Sequence, residues 1–262
     1  MNILILFILF CNFFFNFSYS FDYSVVRSIQ SDILLSGVSL GTSKLVLDRL
    51  KSSEFFIENS NVTRKMIHIS AAPLFMSTWK FYNYKNIATL VPLISSLYLV
   101  RSSNVTSKIL SRSGDEKEIL KGPLIYTIIL SLITNFYWKS DPIGMISMIQ
   151  LSIGDGFADI IGRRYGKNKW INTSNKKSVE GSIGFLITSF LSSYLFINMN
   201  LDIFPNNIHY SNLDIFLISL ICCLSEAYSK LDDNISIPVS ALITNYIIFS
   251  YHYINQIDSV IS

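Results

Sequence analysis

Long runs of apolar residues alternate with short polar stretches along most of the chain. A helix that crosses a bilayer needs roughly 20 predominantly apolar residues. Segments of this kind run near residues 3–20, 33–50, 67–83, 87–101, 122–138, 143–162, 180–200, 213–230 and 235–253. The two segments near 67–101 are short and could be tilted or re-entrant. The pattern predicts an all-α, polytopic membrane bundle of roughly seven to nine spans.

The polar stretches between these spans are too short for a soluble domain with its own core. The longest are 51–66, 101–121 and 163–179. We therefore expect one membrane domain over residues 33–262. Residues 1–32 form an apolar N-terminal segment without a basic n-region, so a retained signal anchor is favoured over a cleaved signal peptide.

Pairs of spans separate the polar loops, and an even number of crossings returns the chain to the same side. The three longest loops and the connection at 230–234 should therefore face one compartment. Downstream of residue 50, the opposite side holds only Lys80, Lys85 and Lys139. The four loops hold Lys51, Arg64, Lys65, Arg101, Lys108, Arg112, Lys117, Lys121, Arg163, Arg164, Lys167, Lys169, Lys176, Lys177 and Lys230. By the positive-inside rule, the basic side is cytosolic or its topological equivalent.

Composition agrees with a membrane protein. Hydrophobic residues make up 50% of the chain and charged residues 15%, whereas soluble domains carry about 25% charged residues. The mean hydropathy is +0.41. The net charge of +3 is modest, and we expect membrane lipid, and no nucleic acid, around the protein.

The stretch IGDGFADIIGRRYGKNKW, residues 153–170, carries the most informative polar residues. Asp155 and Asp159 are four apart, so on a helix they share one face, where two like charges are unfavourable without a compensating cation. Arg163 and Arg164 follow at once. Carboxylates beside a basic cluster at a membrane surface suit Mg²⁺ bound to a polyphosphate. The alternative is a structural ion pair between Asp155 and an arginine, but ionisable groups inside a membrane segment favour a functional role.

Two further stretches place acidic residues on the same side. In KKSVEGSIG, residues 176–184, Glu180 opens a span and could simply favour the helix N-terminus. In SEAYSKLDDNISIPV, residues 225–239, Glu226 lies inside an apolar segment. The Asp232, Asp233 and Asn234 triplet that follows is by itself a turn signal.

Two basic stretches complete the set. RKMIHIS, residues 64–70, places Arg64, Lys65 and His68 at the beginning of a span, and Arg64 and His68 are four residues apart. A lone histidine there is more often interfacial than catalytic. SRSGDEKEILKGPL, residues 111–124, has the mixed charge of a solvated helix.

These strings, in this order, resemble the phytol kinase and farnesol kinase family, which is related to dolichol kinase. The resemblance covers residues 33–245 and rests mainly on SRSGDEKEILKGP and GDGFADIIGRRYG. It implies a polytopic membrane kinase domain that transfers the γ-phosphoryl group of CTP, or another nucleoside triphosphate, to an isoprenoid alcohol such as phytol, geranylgeraniol, farnesol or dolichol.

A mechanism for this transfer can be proposed from the polar residues themselves. Asp155 and Asp159 are expected to hold Mg²⁺ on the nucleotide. Glu180 and Asp232 or Asp233 would complete the metal shell or accept the alcohol proton. The cations expected at the phosphates are Arg163, Arg164, Lys176, Lys177, Arg112 and Lys121, and the further candidates are Arg64, His68, Glu226 and Asn234.

Other functions stay open at this point. A CTP-dependent diacylglycerol kinase or a cytidylyltransferase that makes a CDP-lipid would use similar groups. A transporter would also carry intramembrane charges, although here they gather on one side rather than at mid-depth. The N-terminal segment lacks the serine and arginine content of a transit peptide, so the endoplasmic reticulum is favoured, with a plastid membrane as the alternative.

Overall fold

The structure, a computed structural model, describes residues 23–52, 60–101, 116–171, 177–205 and 209–261. In these ranges it is built from helices, without a strand, which confirms the all-α prediction. The helices are α1 (Tyr23–Ser52), α2 (Ser60–Ser77), α3 (Lys85–Arg101), α4 (Glu116–Tyr137), α5 (Ile143–Ile149), α6 (Asp155–Tyr165), α7 (Val179–Asn198), α8 (Asn212–Tyr228) and α9 (Asp233–Ile261). A π-helical segment, Gln150–Gly154, joins α5 to α6.

Polar connections gather at two ends of the bundle. At one end, the Lys139 ammonium donates to the carbonyl of Tyr82 at 2.7 Å, and the Tyr210 hydroxyl donates to Asp141 at 2.7 Å. The buried carboxylate of Asp32 accepts from the backbone of Asn83 just before α3. We call this the turn end; it comprises residues 79–85, 138–142, 200–205 and 209–211.

The other end holds most of the polar stretches singled out in the sequence. The beginning of α2, the α6–α7 connection and the α8–α9 connection meet there through ion pairs described below. We call this the charged end; it comprises residues 64–68, 155–171, 177–178 and 226–234. The alternation of the two ends along the chain agrees with the predicted even number of crossings between the polar loops.

The interior of the bundle is partly polar and much of its surface is apolar. Gln150 is fully buried, and its amide donates to Ser193 at 3.1 Å and to Ser219 at 2.8 Å. On the outside of α7, Ile183, Ile187, Leu191 and Leu195 are half-exposed or more. In the described part of the chain, one helix, Val179–Asn198, is long and apolar enough to cross a membrane, and Gly122–Tyr137 is apolar but shorter. The count of seven to nine spans stays a prediction, and the span predicted at 3–20 lies outside the described residues.

Small residues set the distance between α6 and its neighbours. A Cβ atom on Gly156 would collide with Cγ1 of Ile69 on α2. A Cβ atom on Gly181 of α7 would lie 2.9 Å from the carbonyl oxygen of Ala158 on α6. The glycine between Asp155 and Phe157 therefore brings α2 close to α6 at the charged end.

We predict that Gly156→Ala destabilises the protein by about 1–3 kcal/mol, because the added methyl group overpacks the contact with Ile69. Gly41→Ala is the matched control: Gly41 also lies in a helix, a Cβ atom there meets nothing within 4 Å, and it should be neutral or stabilising by about 0.4–1 kcal/mol. Unfolding of both variants in detergent measures the difference. Equal stability of the two would contradict the close approach of α2 and α6.

Candidate active site

The site begins where the π-helical segment meets α6. The backbone N–H of Asp155 donates to the carbonyl of Gln150, five residues earlier. In a regular α-helix it would donate to Leu151, four residues earlier. The Leu151 carbonyl instead lies 3.1 Å from Nε2 of His68 on α2. Single π-helical turns of this kind are frequent at functional sites.

His68 is fixed by three contacts. Its Nε2 lies 3.1 Å from the Leu151 carbonyl and 3.3 Å from the Asp155 carboxylate. Both oxygens are acceptors, so Nε2 must carry a hydrogen. The imidazole also contacts the ring of Tyr126 in a tilted arrangement, with 4.7 Å between centroids.

Tyr126 in turn holds the backbone of α2 around His68. Its hydroxyl donates to the carbonyl of His68 and accepts from the N–H of Ala72, both at 3.1 Å. These two backbone groups are four residues apart and would bond to each other in a regular helix. The inserted hydroxyl satisfies both groups, and insertion of this kind bends a helix.

Lys65, one turn before His68, carries the first cation of the site. Its buried ammonium lies 3.1 Å from Oδ2 of Asp155 and 3.7 Å from Oδ2 of Asp159. Asp159 also pairs with Arg163 at 2.9 Å. The two aspartates therefore share a helix face, as predicted, but the cation between them is a lysine from α2. The alternative pairing of Asp155 with an arginine is not the one observed.

Three carboxylates form the centre of the site. Oxygens of Asp155, Glu226 and Asp233 all lie within 4.8 Å of one another, an arrangement that could hold a metal ion. The ammonium of Lys177 bonds to Glu226 and, at 2.9 Å, to Asp233. The remaining oxygen of Asp233, Oδ1, is buried and has no hydrogen-bond partner within the described residues. We call these three residues the carboxylate triad.

The three carboxylates of the triad are paired with two ammonium groups, those of Lys65 and Lys177. Burial acts to lower the pKa of Lys177, but the carboxylates of Glu226 and Asp233 outweigh it, and the pKa lies above its ordinary value. Burial raises the pKa of Asp233, the charge of Asp155 adds to this, and Lys177 offsets it only in part. The ammonium of Lys177 therefore faces two carboxylates, Glu226 and Asp233, while the ammonium of Lys65 faces Asp155.

The α6–α7 connection places Lys177 at the triad. Lys169 and Ser178 form an antiparallel bridge, and the N–H of Trp170 donates to the Lys177 carbonyl at 3.1 Å. Ser178 then caps α7, because its hydroxyl accepts from the N–H of Gly181. Gly162 lies against that hydroxyl: a Cβ atom there would be 2.9 Å from it. The backbone beside Lys177 is thus held firmly while its side chain reaches inward.

A large cavity of about 2040 Å³ opens from the triad. Its charged part includes Asp155, Glu226 and Asp233 together with the cations Arg64, Lys65, Arg163, Lys169, Lys177 and Lys230. Its apolar part runs between α1, α2, α3 and α4, along Leu34, Val38, Leu74, Phe75, Val91 and Leu130. Pockets for one small molecule measure about 300–1,000 Å³, so the cavity has room for two substrates.

The structure separates the predicted residues into groups. It joins Asp155, Asp233, Glu226, Lys177 and His68, and it places Asp159 and Arg163 beside them. Glu180 accepts instead from the backbone and side chain of Asn168. Asp232 accepts from the N–H and amide of Asn234, which is the turn interpretation of that triplet.

Other predicted residues lie apart or cannot be placed. The Arg164 guanidinium sits 5.5 Å from the ring centroid of Tyr165. Arg112 and Lys176 lie outside the described residues, and so does the side chain of Lys121. Sequence reasoning did not select Lys65 or Tyr126. The spacing of Lys65 three residues before His68, which puts both on one helix face, was the available signal for the lysine; nothing local marked the tyrosine.

Comparisons with known proteins agree with the resemblance seen in the sequence. A family model described as cytidylyltransferase family matches residues 46–228. A rice (Oryza sativa subsp. japonica) protein named probable phytol kinase 1, chloroplastic, is 34% identical over 206 residues, which are 73% of this chain and 65% of the relative. The chain thus spans about two thirds of that protein's length.

Two relatives from Arabidopsis thaliana are similar as well. Phytol kinase 1, chloroplastic, is 31% identical over 80% of this chain and 74% of its own length. Farnesol kinase, chloroplastic, is 32% identical over 74% of this chain and 67% of its own length. No solved structure matches the chain.

We predict strong energetic coupling between Lys65 and Asp155, whose side chains are 8% and 12% exposed. Asp155→Asn and Lys65→Met should each cost about 3–5 kcal/mol, because each leaves a buried charge without its partner. The double variant should cost less than the sum by about 0.5–3 kcal/mol. Unfolding free energies in mixed micelles test this, with exposed Lys230→Met as control. Additive losses would show that the pair is not coupled.

Proposed function

The chain belongs to the cytidylyltransferase family, and we propose that it is a membrane-embedded kinase that transfers the γ-phosphoryl group of CTP to an isoprenoid alcohol. The names of the curated relatives, phytol kinase and farnesol kinase, support the alcohol as acceptor. We assign this activity to the domain expected over residues 33–262.

One cavity has both a charged part and an apolar part, and this observation carries the proposal. The charged part at the triad suits a triphosphate with its metal, and the apolar part between α1 and α4 suits a long hydrocarbon chain. An alcohol lying along the apolar part would bring its hydroxyl to the charged end. This combination is what phosphoryl transfer between a water-soluble donor and a lipid acceptor requires.

The triad is the preferred position for Mg²⁺. Carboxylate oxygens are the ligands that Mg²⁺ favours, and the buried, unpartnered Oδ1 of Asp233 supports a missing cation partner there. Asp155, Glu226 and Asp233 would hold the metal, which would neutralise charge on the phosphates when bound. Asp159, first expected to be a ligand, lies between Lys65 and Arg163 and would instead steady those cations.

The reaction needs few covalent contributions from the protein. The alcohol oxygen bonds to the γ-phosphorus, and the bond from that phosphorus to the oxygen of the β-phosphate breaks. CDP leaves, and the alcohol proton is released to water. Such transfer depends mainly on positioning and charge stabilisation. Lys65, Arg163 and Lys177 would stabilise charge on the phosphates, and the π turn with Tyr126 would keep His68 and Asp155 in place.

The distribution of polarity supports a multi-pass membrane protein. Inside the bundle, the buried amide of Gln150 donates to Ser193 and to Ser219, while apolar side chains cover the outside of α7. Exposed apolar surface of this extent is unfavourable in water and favourable in lipid. The names of the relatives include the word chloroplastic, which supports a plastid membrane. The endoplasmic reticulum stays the prediction made from the N-terminal segment.

A second candidate is transfer of the cytidylyl group to a lipid phosphate, which the description of the matching family favours. Both reactions would use CTP and the same cations. Their products differ, since the kinase releases CDP and the cytidylyltransferase releases pyrophosphate.

The purified full chain in nanodiscs should therefore convert CTP and phytol, geranylgeraniol or farnesol to CDP and the lipid monophosphate. Diacylglycerol, dolichol and phosphatidate complete the substrate panel, and UTP and ATP test the donor. CTP labelled separately in the γ-phosphate and in the base reports which group moves. Release of pyrophosphate with the cytidylyl group on the lipid would replace the kinase by the second candidate.

Two glutamates can be compared directly: Glu226, which is buried in the triad, and Glu180, which lies in the first turn of α7. We predict that Glu226→Gln lowers kcat by at least about 100-fold, the scale of losing a preorganised electrostatic group. Glu180→Gln should cause a much smaller loss, because Glu180 bonds to Asn168 in the α6–α7 connection. Steady-state kinetics with a Mg²⁺ titration measure both. The opposite order would move the metal site from the triad to Glu180.

We further predict that the two ends of the bundle lie on opposite sides of the membrane. Single cysteines at the exposed residues Lys167 and Lys230 should react with an impermeant reagent from one side, in a chain whose own cysteines are replaced by alanine. Cysteines at exposed Lys85 and Ser140 should react from the other side. Labelling of all four positions from one side would exclude the proposed crossings.

A further inference from the structure

The ammonium of Lys177 lies between two carboxylates of the triad, those of Glu226 and Asp233. It bonds to Glu226 and to Asp233, and oxygens of these residues and Asp155 lie within 4.8 Å of one another. A lysine in this place stands in for part of the charge of a metal ion. A divalent cation bound to the same oxygens would meet the ammonium at short range, and the two like charges would repel each other.

Lys177 has the longest flexible side chain of the group. The side chains of Glu226 and Asp155 are 3% and 12% exposed, and those of Lys177 and Asp233 are 23% and 26% exposed. The backbone of Lys177 is held by Trp170 and by the capped beginning of α7. A lysine has a flexible four-carbon stem, so its ammonium can swing from the carboxylates toward the cavity without a change in the backbone.

We propose that Lys177 is a resident counter-ion that leaves the carboxylate triad only when a phosphate group in the cavity receives its charge, so that the metal is bound together with the nucleotide and not before it. This rests on the proposed function, since it requires a phosphate-bearing substrate in the cavity. In the absence of nucleotide, Lys177 keeps the buried carboxylates neutralised. With nucleotide present, the ammonium contacts phosphate oxygens and the three carboxylates become available to the metal.

The test uses Mn²⁺ as the metal probe and CDP as a nucleotide without a transferable γ-phosphate, with the full chain in nanodiscs. Electron paramagnetic resonance of free Mn²⁺ gives the affinity for the metal alone. We expect Lys177→Met to bind Mn²⁺ alone at least about tenfold more tightly than the wild type, because a like charge has been removed from the site. Lys85→Met, exposed at the turn end and outside this cavity, should match the wild type.

Thermal stability supplies the second readout. Mn²⁺ alone should raise the Tm of Lys177→Met but not that of the wild type, and Mn²⁺ with CDP should raise the Tm of the wild type. Mn²⁺ binding to the wild type without CDP as tight as to Lys177→Met would overturn the proposal. If Lys177→Met does not fold, the wild type decides alone: stabilisation by Mn²⁺ without CDP equal to that with CDP overturns it.

The proposed function and the proposed role of Lys177 would fail in different ways. If neither CDP nor CTP adds to the effect of Mn²⁺ and no CTP is consumed with any alcohol, the proposed function fails, and the role of Lys177 fails with it. If CTP and alcohol are converted but Mn²⁺ binds the wild type equally with and without CDP, the coupling through Lys177 alone is wrong.

Discussion

The structure depends on keeping three carboxylates close together at the end of an apolar bundle. Burying one charge without a partner costs several kcal/mol, and Asp155, Glu226 and Asp233 lie within one small volume. Lys65 comes from α2 and Lys177 from the α6–α7 connection, so the compensating charges tie together helices that are distant in sequence. The close contacts at Gly156 and Gly181 follow from the same need, because bulkier residues would hold α2 and α7 away from α6.

Regular helix hydrogen bonding is interrupted at two places in the site. The π turn directs the N–H of Asp155 to Gln150 and leaves the Leu151 carbonyl facing His68. Tyr126 closes the gap it makes in α2 by bonding to both separated backbone groups. These irregularities lie next to Asp155 and His68, so they help to set the positions of both functional side chains.

Much of the fold could be predicted from the apolar periodicity, since helix type and approximate limits follow from local pattern. The alternation of the two ends followed from counting crossings. Within the site, the one-face relation of Asp155 and Asp159 could be predicted because it depends on helix geometry alone. The grouping of Asp155 with Glu226 and Asp233 could not, because it depends on how α6, α8 and α9 meet. In the sequence, Glu180 opens one span and Glu226 lies inside another, but only tertiary contacts show that the first bonds to Asn168 and the second to Lys177.

The central claim is that the carboxylate triad, at the head of the apolar cavity, is the metal and phosphate site of the enzyme. A crystal structure of the full chain with Mn²⁺ and CDP, with anomalous scattering recorded for manganese, tests it most directly. The account predicts an anomalous peak enclosed by Asp155, Glu226 and Asp233, with the diphosphate beside it and the Lys177 ammonium turned toward the phosphate. A manganese peak at Asp159 or Glu180, with Lys177 still bonded to Glu226, would contradict it.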